Sequence, residues 1–200
     1  MNTTPLQILF LDVDGVLNST EWYRCRPSTD EWAATMNISP EMYRHDRIEW
    51  AMRSIDPAAV RALNAIVTRS SARVVVSSTW RTMYSLSQLE RMLRYLGFEH
   101  HLIGATPESS TVRTRGHEGR IYRGDEITAW LRTMFHDSGE FAVSVVILDD
   151  DSDMGDLSPR LYQTSHDVGL RATDVDAVVD LLEHPTAVAR RLPHQDQQQQ

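Results

Sequence analysis

The sequence predicts an α/β fold in which a Rossmann-like parallel sheet is flanked by helices. Short apolar runs alternate with amphipathic helical patterns along most of the 200 residues, as they do in crossover units. Hydrophobic residues make up 41% of the chain, which is enough for a chain of this length to bury a core. Clusters of polar side chains directly follow the apolar runs, at the strand ends where such folds bind ligands.

The first strand and the segment after it differ sharply in composition. Gln7–Asp12 is short and apolar, as a buried parallel strand is. Residues 19–55 contain three of the five tryptophans, many arginines and no clean period, so we interpret them as a partly helical cap insertion. The aromatic and arginine side chains of the cap could stack a base and hold a phosphate, or the aromatic rings could simply anchor the cap to the core. The arginines considered are Arg24, Arg26, Arg44 and Arg47.

The remaining elements are predicted from periodicity and from cap and turn signals. Predicted helices begin at Asp56-Pro57, span Leu86–Leu96 and Asp125–Phe135, and run from a Thr173 cap through Leu182. Predicted strands are Arg73–Ser77, His101–Gly104, Ala142–Leu148 and Arg160–Thr164. The segment Ser109–Gly119 is predicted to be a mobile loop, and residues 184–200 a disordered Gln-rich tail after one domain over residues 1–183.

Charge and composition exclude several classes of protein. The net charge of −8 argues against a broad nucleic-acid-binding face. A single cysteine excludes a disulfide framework and a Cys-rich zinc site. No apolar run approaches the ~20 residues of a membrane helix and no basic signal region begins the chain, so we expect a cytoplasmic protein. The 20 cations are all arginine, so any anion clamp is a guanidinium, and lysine Schiff-base chemistry is impossible.

Two carboxylates follow the first predicted strand. Asp12 and Asp14 are two residues apart, so they project on the same side, about 7 Å apart, if the strand continues. Carboxylates this close repel unless a cation or a shared proton lies between them, and oxygen ligands favour a hard cation such as Mg²⁺. The alternative is an Asp-rich turn, with Asp14-Gly15 as a hairpin signal.

Each of the other polar clusters could also have a purely structural explanation instead of a functional one. Ser77, Ser78 and Thr79, followed by Arg81, could form a phosphate cradle or cap the next helix. The acids after the strand that ends at Leu148 could face a metal or form a solvated turn; they are Asp149, Asp150, Asp151 and Asp153. Arg123, at a helix start, could meet an anion or lie on the surface.

Together these clusters resemble the haloacid dehalogenase-like (HAD) phosphatase superfamily. The matching boxes are Asp12-Val13-Asp14-Gly15, Val76-Ser77-Ser78, Arg123, and Asp149-Asp150 with Asp153. The chain is most similar to the HAD domain of Swiss Army Knife RNA-repair proteins and to the phosphatase domains of polynucleotide kinase-phosphatases. That narrower likeness rests on residues 14–18, residues 77–81, Thr106-Pro107, residues 123–127, residues 148–151 and Gly169-Leu170. The third box departs from the pattern, because it holds arginine where lysine is commoner.

The resemblance implies a HAD fold and a mechanism through an aspartyl-phosphate. Asp12 would be the nucleophile, Asp14 the general acid and base, and Ser77 and Arg123 would bind the transferred phosphoryl group. Mg²⁺ would be held by Asp12, by the main-chain carbonyl of Asp14, and by Asp149 or Asp150. Further substrate contacts are expected from Ser78, Arg81, Arg113 and Arg115. Arg81 in particular is expected to reach a substrate phosphate other than the one being cleaved.

The expected activity is hydrolysis of a phosphomonoester at an RNA or DNA end, as in a polynucleotide 3′-phosphatase, or on a nucleotide. A small cap would leave the site open, which suits a polynucleotide end. A functional link to a kinase or ligase is expected with that substrate. The alternatives are a small-metabolite phosphatase of the same fold and a non-catalytic module that binds metal or phosphate.

Overall fold

The computed structural model describes residues 5–35, 47–108, 121–135 and 143–184. Its centre is a five-stranded sheet in which every neighbouring pair is parallel, with strand order β3-β2-β1-β4-β5. The strands are β1 (Leu6–Leu11), β2 (Arg73–Val76), β3 (Leu102–Ala105), β4 (Val143–Asp149) and β5 (Leu161–Gln163). The predicted α/β architecture with a parallel sheet is therefore confirmed.

Seven helices are described in these parts of the chain. They are α1 (Thr20–Cys25), α2 (Thr29–Thr35), α3 (Arg47–Ser54), α4 (Pro57–Ser70), α5 (Leu86–Tyr95), α6 (Arg123–Phe135) and α7 (Val175–Glu183). Short 3₁₀ turns lie at Thr79–Thr82, Gly155–Arg160 and Ala172–Asp174. No helix in the described residues is long and apolar enough to cross a membrane.

The two faces of the sheet bury different parts of β1, because successive side chains of a strand point to opposite faces. Leu9 and Leu11 belong to the larger core cluster, which also contains side chains from α4, α5 and α7. Ile8 and Phe10 belong to the second cluster, where the ring of Phe10 meets that of Trp130 on α6 edge to face, at 5.4 Å between centroids. Helix α6 therefore covers the sheet face opposite α4 and α7.

The described part of the cap contains α1, α2 and α3. Trp32 is buried in the larger core, and Trp22 donates its indole N–H to the carbonyl of Arg53 at 3.1 Å. Trp32 therefore anchors this segment to the core, whereas Trp22 ties α1 to α3 within it. Trp50 is instead largely exposed.

Several predicted boundaries differ from the structure by one or two residues, as a strand and a helix illustrate. Strand β3 begins and ends one residue later than predicted. The last helix begins at Val175 rather than after a Thr173 cap, because Ala172–Asp174 form a 3₁₀ turn with Arg171 and Asp174 bonded at its start.

Several predictions lie outside the described residues. They concern Arg44, the predicted loop Ser109–Gly119 with Arg113 and Arg115, and the tail beyond His184. The side chain of Arg47 lies outside them as well. The domain boundaries and the contacts expected of these arginines remain predictions.

Candidate active site

The candidate site lies at the carboxyl edge of the sheet, where β2, β1 and β4 end side by side. The amide of Asp12 donates to the carbonyl of Leu148 at 3.0 Å, and the amide of Ser77 donates to that of Leu11 at 2.7 Å. These bonds continue the parallel ladders and place Asp12 between the ends of β2 and β4. Strands β2 and β3 lie on one side of β1, and strands β4 and β5 lie on the other. The end of β1 is therefore the topological switch point, where open α/β sheets favour ligand binding.

Three carboxylates form a cluster at this edge. Asp12, Asp149 and Asp150 each offer one oxygen, and these oxygens all lie within 4.8 Å of one another. Asp12 and Asp149 are buried, and the buried Oδ2 of Asp149 has no hydrogen-bond partner among the described residues. Hard oxygen donors, and a buried carboxylate oxygen that has an ion-pair contact with Arg123 but no hydrogen bond, suit a divalent cation such as Mg²⁺. The donor set therefore fits a metal, and the cluster could hold one.

Burial and mutual repulsion set the charge state of this cluster in the absence of a metal. Loss of solvation raises the pKa of Asp12 to about 6, although Arg123 and hydrogen bonds from Ser78 and Val13 oppose the shift. Loss of solvation and the neighbouring Asp12 together raise the pKa of Asp149 to about 8. A bound cation would remove the repulsion, so proton release and metal binding are linked at this site.

Gly15 allows the chain to turn tightly against the carboxylate cluster. Its φ of +67° is in the left-handed region, and a Cβ here would lie only 2.2 Å from Cγ of Asp150. The Asp150 carboxylate is also held by His166, whose Nδ1 lies 2.9 Å from Oδ2. The position of Asp150 in the cluster therefore depends on a glycine that follows β1, far away in the sequence.

Arg123 connects helix α6 to two of the clustered carboxylates. Its guanidinium lies 3.4 Å from Oδ2 of Asp12 and 3.4 Å from Oδ2 of Asp149. Its amide donates to the Asp153 carboxylate at 3.1 Å, and the next amide, of Gly124, donates to the Asp153 carbonyl. Asp153 thus fixes the start of the helix that carries Arg123, and it is not a member of the carboxylate cluster.

Asp14 is oriented by two donors that motif matching does not assign. The side-chain amide of Asn18 donates to Oδ1 of Asp14 at 2.7 Å, and the indole N–H of Trp80 donates to Oδ2 at 3.0 Å. Asn18 also accepts the amide of Gly15 at 3.0 Å, so it ties the turn together. Both residues belong to motifs visible in the sequence, but spacing along the chain does not reveal that both reach one carboxylate.

The two serines after β2 differ in what they contact. Both are fully buried, but the Ser77 hydroxyl has no hydrogen-bond partner among the described residues. The Ser78 hydroxyl caps the following turn by accepting the Trp80 amide, and it donates to Asp12. These contacts show that the Ser78 hydroxyl positions Asp12 and caps a turn. A contact between Ser78 and substrate remains a prediction.

Arg81, which is predicted to reach a substrate phosphate, forms a buried ion pair in the structure. Its guanidinium lies 2.7 Å from Oε2 of Glu126, and the two side chains are only 7% and 6% exposed. It also donates to the carbonyls of Ser78 and Pro107. Through these contacts, Arg81 supports the site by holding Glu126 and the segment after β2 in place. Its partner Glu126 lies on α6, also within 3.8 Å of the Arg123 guanidinium, and sequence reasoning missed it.

A signal for Glu126 is present in the sequence, although a weak one. Residues three apart on a helix share a face, so Glu126 lies next to Arg123 on α6. Its burial, however, follows from the packing of α6 on the sheet and from Arg81, which comes from a distant part of the chain.

Comparison with known proteins identifies a family over most of the chain. The model of the family described as "HAD domain in Swiss Army Knife RNA repair proteins" matches residues 8–175. No curated protein matches the chain. Among solved structures, a haloacid dehalogenase-like family hydrolase from Streptococcus pneumoniae is similar, with 13% sequence identity and a TM-score of 0.37 over 88% of this chain and 91% of that one.

Proposed function

The chain belongs to the family of HAD domains found in Swiss Army Knife RNA repair proteins, and we propose that it is a Mg²⁺-dependent phosphomonoesterase acting on the phosphorylated end of a nucleic acid. Membership in this family makes the chain a HAD-type hydrolase. The finer proposal rests on one observation above all. Asp12 lies where the partly buried guanidinium of Arg123, a hydroxyl donor and two further carboxylates converge.

In the first step, a carboxylate oxygen of Asp12 attacks the phosphorus atom. The bond between phosphorus and the leaving oxygen breaks as the bond to Asp12 forms, which divides one difficult substitution into two easier ones. Asp14 delivers a proton to the leaving oxygen, and Asn18 and Trp80 hold the Asp14 carboxyl in place for this transfer.

In the second step, Asp14 takes a proton from a water molecule that attacks the phosphorus. The bond between phosphorus and Asp12 breaks, inorganic phosphate leaves and the Asp12 carboxylate is restored. Arg123 stabilises negative charge on the phosphoryl oxygens, and the unpartnered Ser77 hydroxyl is available to donate to one of them.

The cation in this proposal is Mg²⁺, which Asp12, Asp149 and Asp150 would hold. When bound, it would neutralise the repelling carboxylates and the charge on the phosphoryl group.

Support for a nucleic-acid end comes from the family description, which refers to RNA repair. A terminal phosphate of RNA or DNA is a phosphomonoester on a ribose or deoxyribose oxygen, so it suits the two-step chemistry of Asp12 and Asp14. A small-metabolite phosphatase would use the same residues. Measurement therefore has to separate the two substrates. For a nucleic-acid end, we expect a functional link to a kinase or ligase.

A substrate panel with matched variants tests the proposal. It compares phosphate release from 3′-phosphorylated RNA and DNA oligonucleotides, the corresponding nucleoside monophosphates and small sugar phosphates, with Mg²⁺ or with a chelator. We expect the highest kcat/KM on an oligonucleotide, loss of activity with the chelator and in Asp12→Asn, and no loss in Asp156→Asn, an exposed acid away from the cluster. Higher kcat/KM on a sugar phosphate would contradict the nucleic-acid substrate, and full activity of Asp12→Asn would contradict the mechanism.

A further inference from the structure

Tyr23 connects the cap to the general acid. The side-chain amide of Asn18 has two hydrogens, and it donates to Asp14 Oδ1 at 2.7 Å and to the Tyr23 hydroxyl at 3.3 Å. Tyr23 on α1 is therefore connected through Asn18, by two hydrogen bonds, to the residue that serves the leaving oxygen. The sequence motifs at the strand ends do not point to Tyr23, because it belongs to the inserted segment.

The Tyr23 ring is both held in place and open to solvent. The Arg26 guanidinium lies over the ring, with its central carbon 4.5 Å from the ring centroid, and the same side chain donates to the Ser54 hydroxyl at 3.3 Å. These contacts cover one face of the ring and tie it to α3. Even so, Tyr23 is 42% exposed, so much of a large aromatic side chain faces solvent beside the site.

We propose that Tyr23, backed by Arg26, is the leaving-group subsite and that its exposed ring stacks against the terminal nucleoside of the substrate. This inference rests on the proposed phosphatase activity and deepens it, because it assigns the nucleoside to a named side chain. An aromatic ring stacks on every base, so the subsite would accept different terminal nucleosides.

The position of Tyr23 favours the leaving group over the transferred phosphoryl group. The contacts that surround the phosphoryl-accepting Asp12 come from Arg123, Ser78 and the neighbouring carboxylates. Tyr23 is connected instead, through Asn18, to Asp14, which delivers its proton to the oxygen that stays with the nucleoside. A ring at this place therefore meets the part of the substrate that departs.

A purely positioning function of Tyr23 makes a different prediction. If Tyr23 acts only by accepting the Asn18 hydrogen bond, its hydroxyl matters and its ring does not. The variant Tyr23→Phe removes the hydroxyl and keeps the ring, whereas Tyr23→Leu removes both. Tyr95, an exposed tyrosine at the end of α5, provides the matched control Tyr95→Leu.

The experiment measures kcat/KM for a 3′-phosphorylated oligonucleotide and for glycerol 2-phosphate, a phosphomonoester without an aromatic ring. The quantity compared is the ratio of the two values in the wild type and in each variant. We expect Tyr23→Leu to lower this ratio about tenfold or more, since stacking of one base has an effect of that size. The ratio should remain near the wild-type value in Tyr23→Phe and in Tyr95→Leu.

The outcomes separate the subsite from the activity itself. A ratio unchanged in Tyr23→Leu, or lowered equally in Tyr23→Phe, overturns the subsite while leaving the phosphatase proposal intact. A wild type that prefers glycerol 2-phosphate overturns the nucleoside assignment in the same way. If the wild type releases phosphate from neither substrate with Mg²⁺ present, the proposed function fails and the subsite fails with it.

Discussion

At the scale of single residues, Asp14 depends on donors from two different parts of the chain. Trp80 reaches it from the turn after β2, and the variant Trp80→Phe removes that hydrogen bond while keeping most of the apolar volume. We expect kcat to fall about tenfold on glycerol 2-phosphate and much less on 4-nitrophenyl phosphate, whose leaving group departs without a proton. Steady-state kinetics on both substrates measures this difference.

The control for that variant is Trp130→Phe, the same substitution at a tryptophan of the second core cluster. It should cost some stability through lost packing, without changing the relative rates on the two substrates. An equal loss on both substrates in Trp80→Phe would show that Trp80 does not assist proton transfer through Asp14.

Arg81 and Glu126 form a buried ion pair, so removing one partner leaves the other buried without its closest counter-charge. We expect Arg81→Leu to lower the free energy of unfolding by about 3–5 kcal/mol, and the double variant Arg81→Leu with Glu126→Leu to recover much of that loss. Activity should fall by the same factor on oligonucleotides and on small phosphomonoesters, because Glu126 loses the partner that holds it in place beside the Arg123 guanidinium. Urea unfolding and kinetics on both substrates measure these effects. A loss confined to oligonucleotides would instead support the prediction that Arg81 contacts a substrate phosphate.

Residue types at strand ends could be predicted from the sequence, whereas their partners could not. Polar clusters were predicted at the strand ends, and the family resemblance implied that Asp12 shares a metal with Asp149 or Asp150. The oxygens of all three residues do cluster. The pairing of Arg81 with Glu126 depends on how α6 packs against the turn after β2. That geometry is set by tertiary packing, which leaves no spacing pattern along the chain.

At the scale of elements, the start of α6 shows how a loop from another strand determines a helix boundary. The sequence predicts the helix from Asp125, whereas the structure begins it at Arg123. The two additional residues are held by the Asp153 carboxylate and carbonyl, which accept the amides of Arg123 and Gly124. A helix N-terminus satisfied by a distant segment cannot be identified from local cap signals.

Gly124 offers a test of this contact. A Cβ at this position would lie 2.1 Å from the Met154 carbonyl oxygen, a backbone atom that cannot move aside cheaply. We expect Gly124→Ala to push α6 away from the loop after β4, and to lower both the melting temperature and kcat because Arg123 moves with the helix. Thermal unfolding and turnover of glycerol 2-phosphate measure the two effects.

The exposed substitution Thr133→Ala, on the same helix, is the control for Gly124→Ala and should change kcat little. If Gly124→Ala kept the wild-type kcat, the packing of α6 against the backbone of Met154 would not be what positions Arg123.

At the scale of the whole molecule, alternation of strands and helices predicted the parallel sheet, but the order of its strands did not follow from the sequence. The order β3-β2-β1-β4-β5 is what brings Asp12 and Asp149 side by side at the switch point. The carboxylates clustered there affect the stability of the whole fold. Asp12 and Asp149 ionise less readily in the folded chain than in the unfolded chain.

The pKa values of Asp12 and Asp149 are raised to about 6 and about 8, from ordinary aspartate values of about 4. Between pH 4 and pH 8 the folded chain without metal therefore binds more protons at these groups than the unfolded chain does. Their contribution to the free energy of unfolding thus falls as the pH rises through that window. Mg²⁺ favours the ionised carboxylates, so it should raise the melting temperature more at pH 8 than at pH 5.

Thermal unfolding with a chelator and with saturating Mg²⁺, at intervals across that pH range, measures this linkage. Asp149→Asn removes one of the two titrating groups and should flatten the pH dependence in the chelator and weaken the response to Mg²⁺. A variant with the same pH dependence as the wild type would exclude the cluster as its source.

The most direct test of the account is to locate the phosphoryl group during turnover. The enzyme is mixed with a phosphomonoester labelled in its phosphate, quenched in acid within one turnover, and digested for peptide mapping. We expect the label on the peptide that contains Asp12, at that residue, and no labelled peptide from Asp12→Asn. Phosphate release from the wild type at an undiminished rate with label on no peptide, or on a peptide containing Ser77, would contradict Asp12 as the nucleophile.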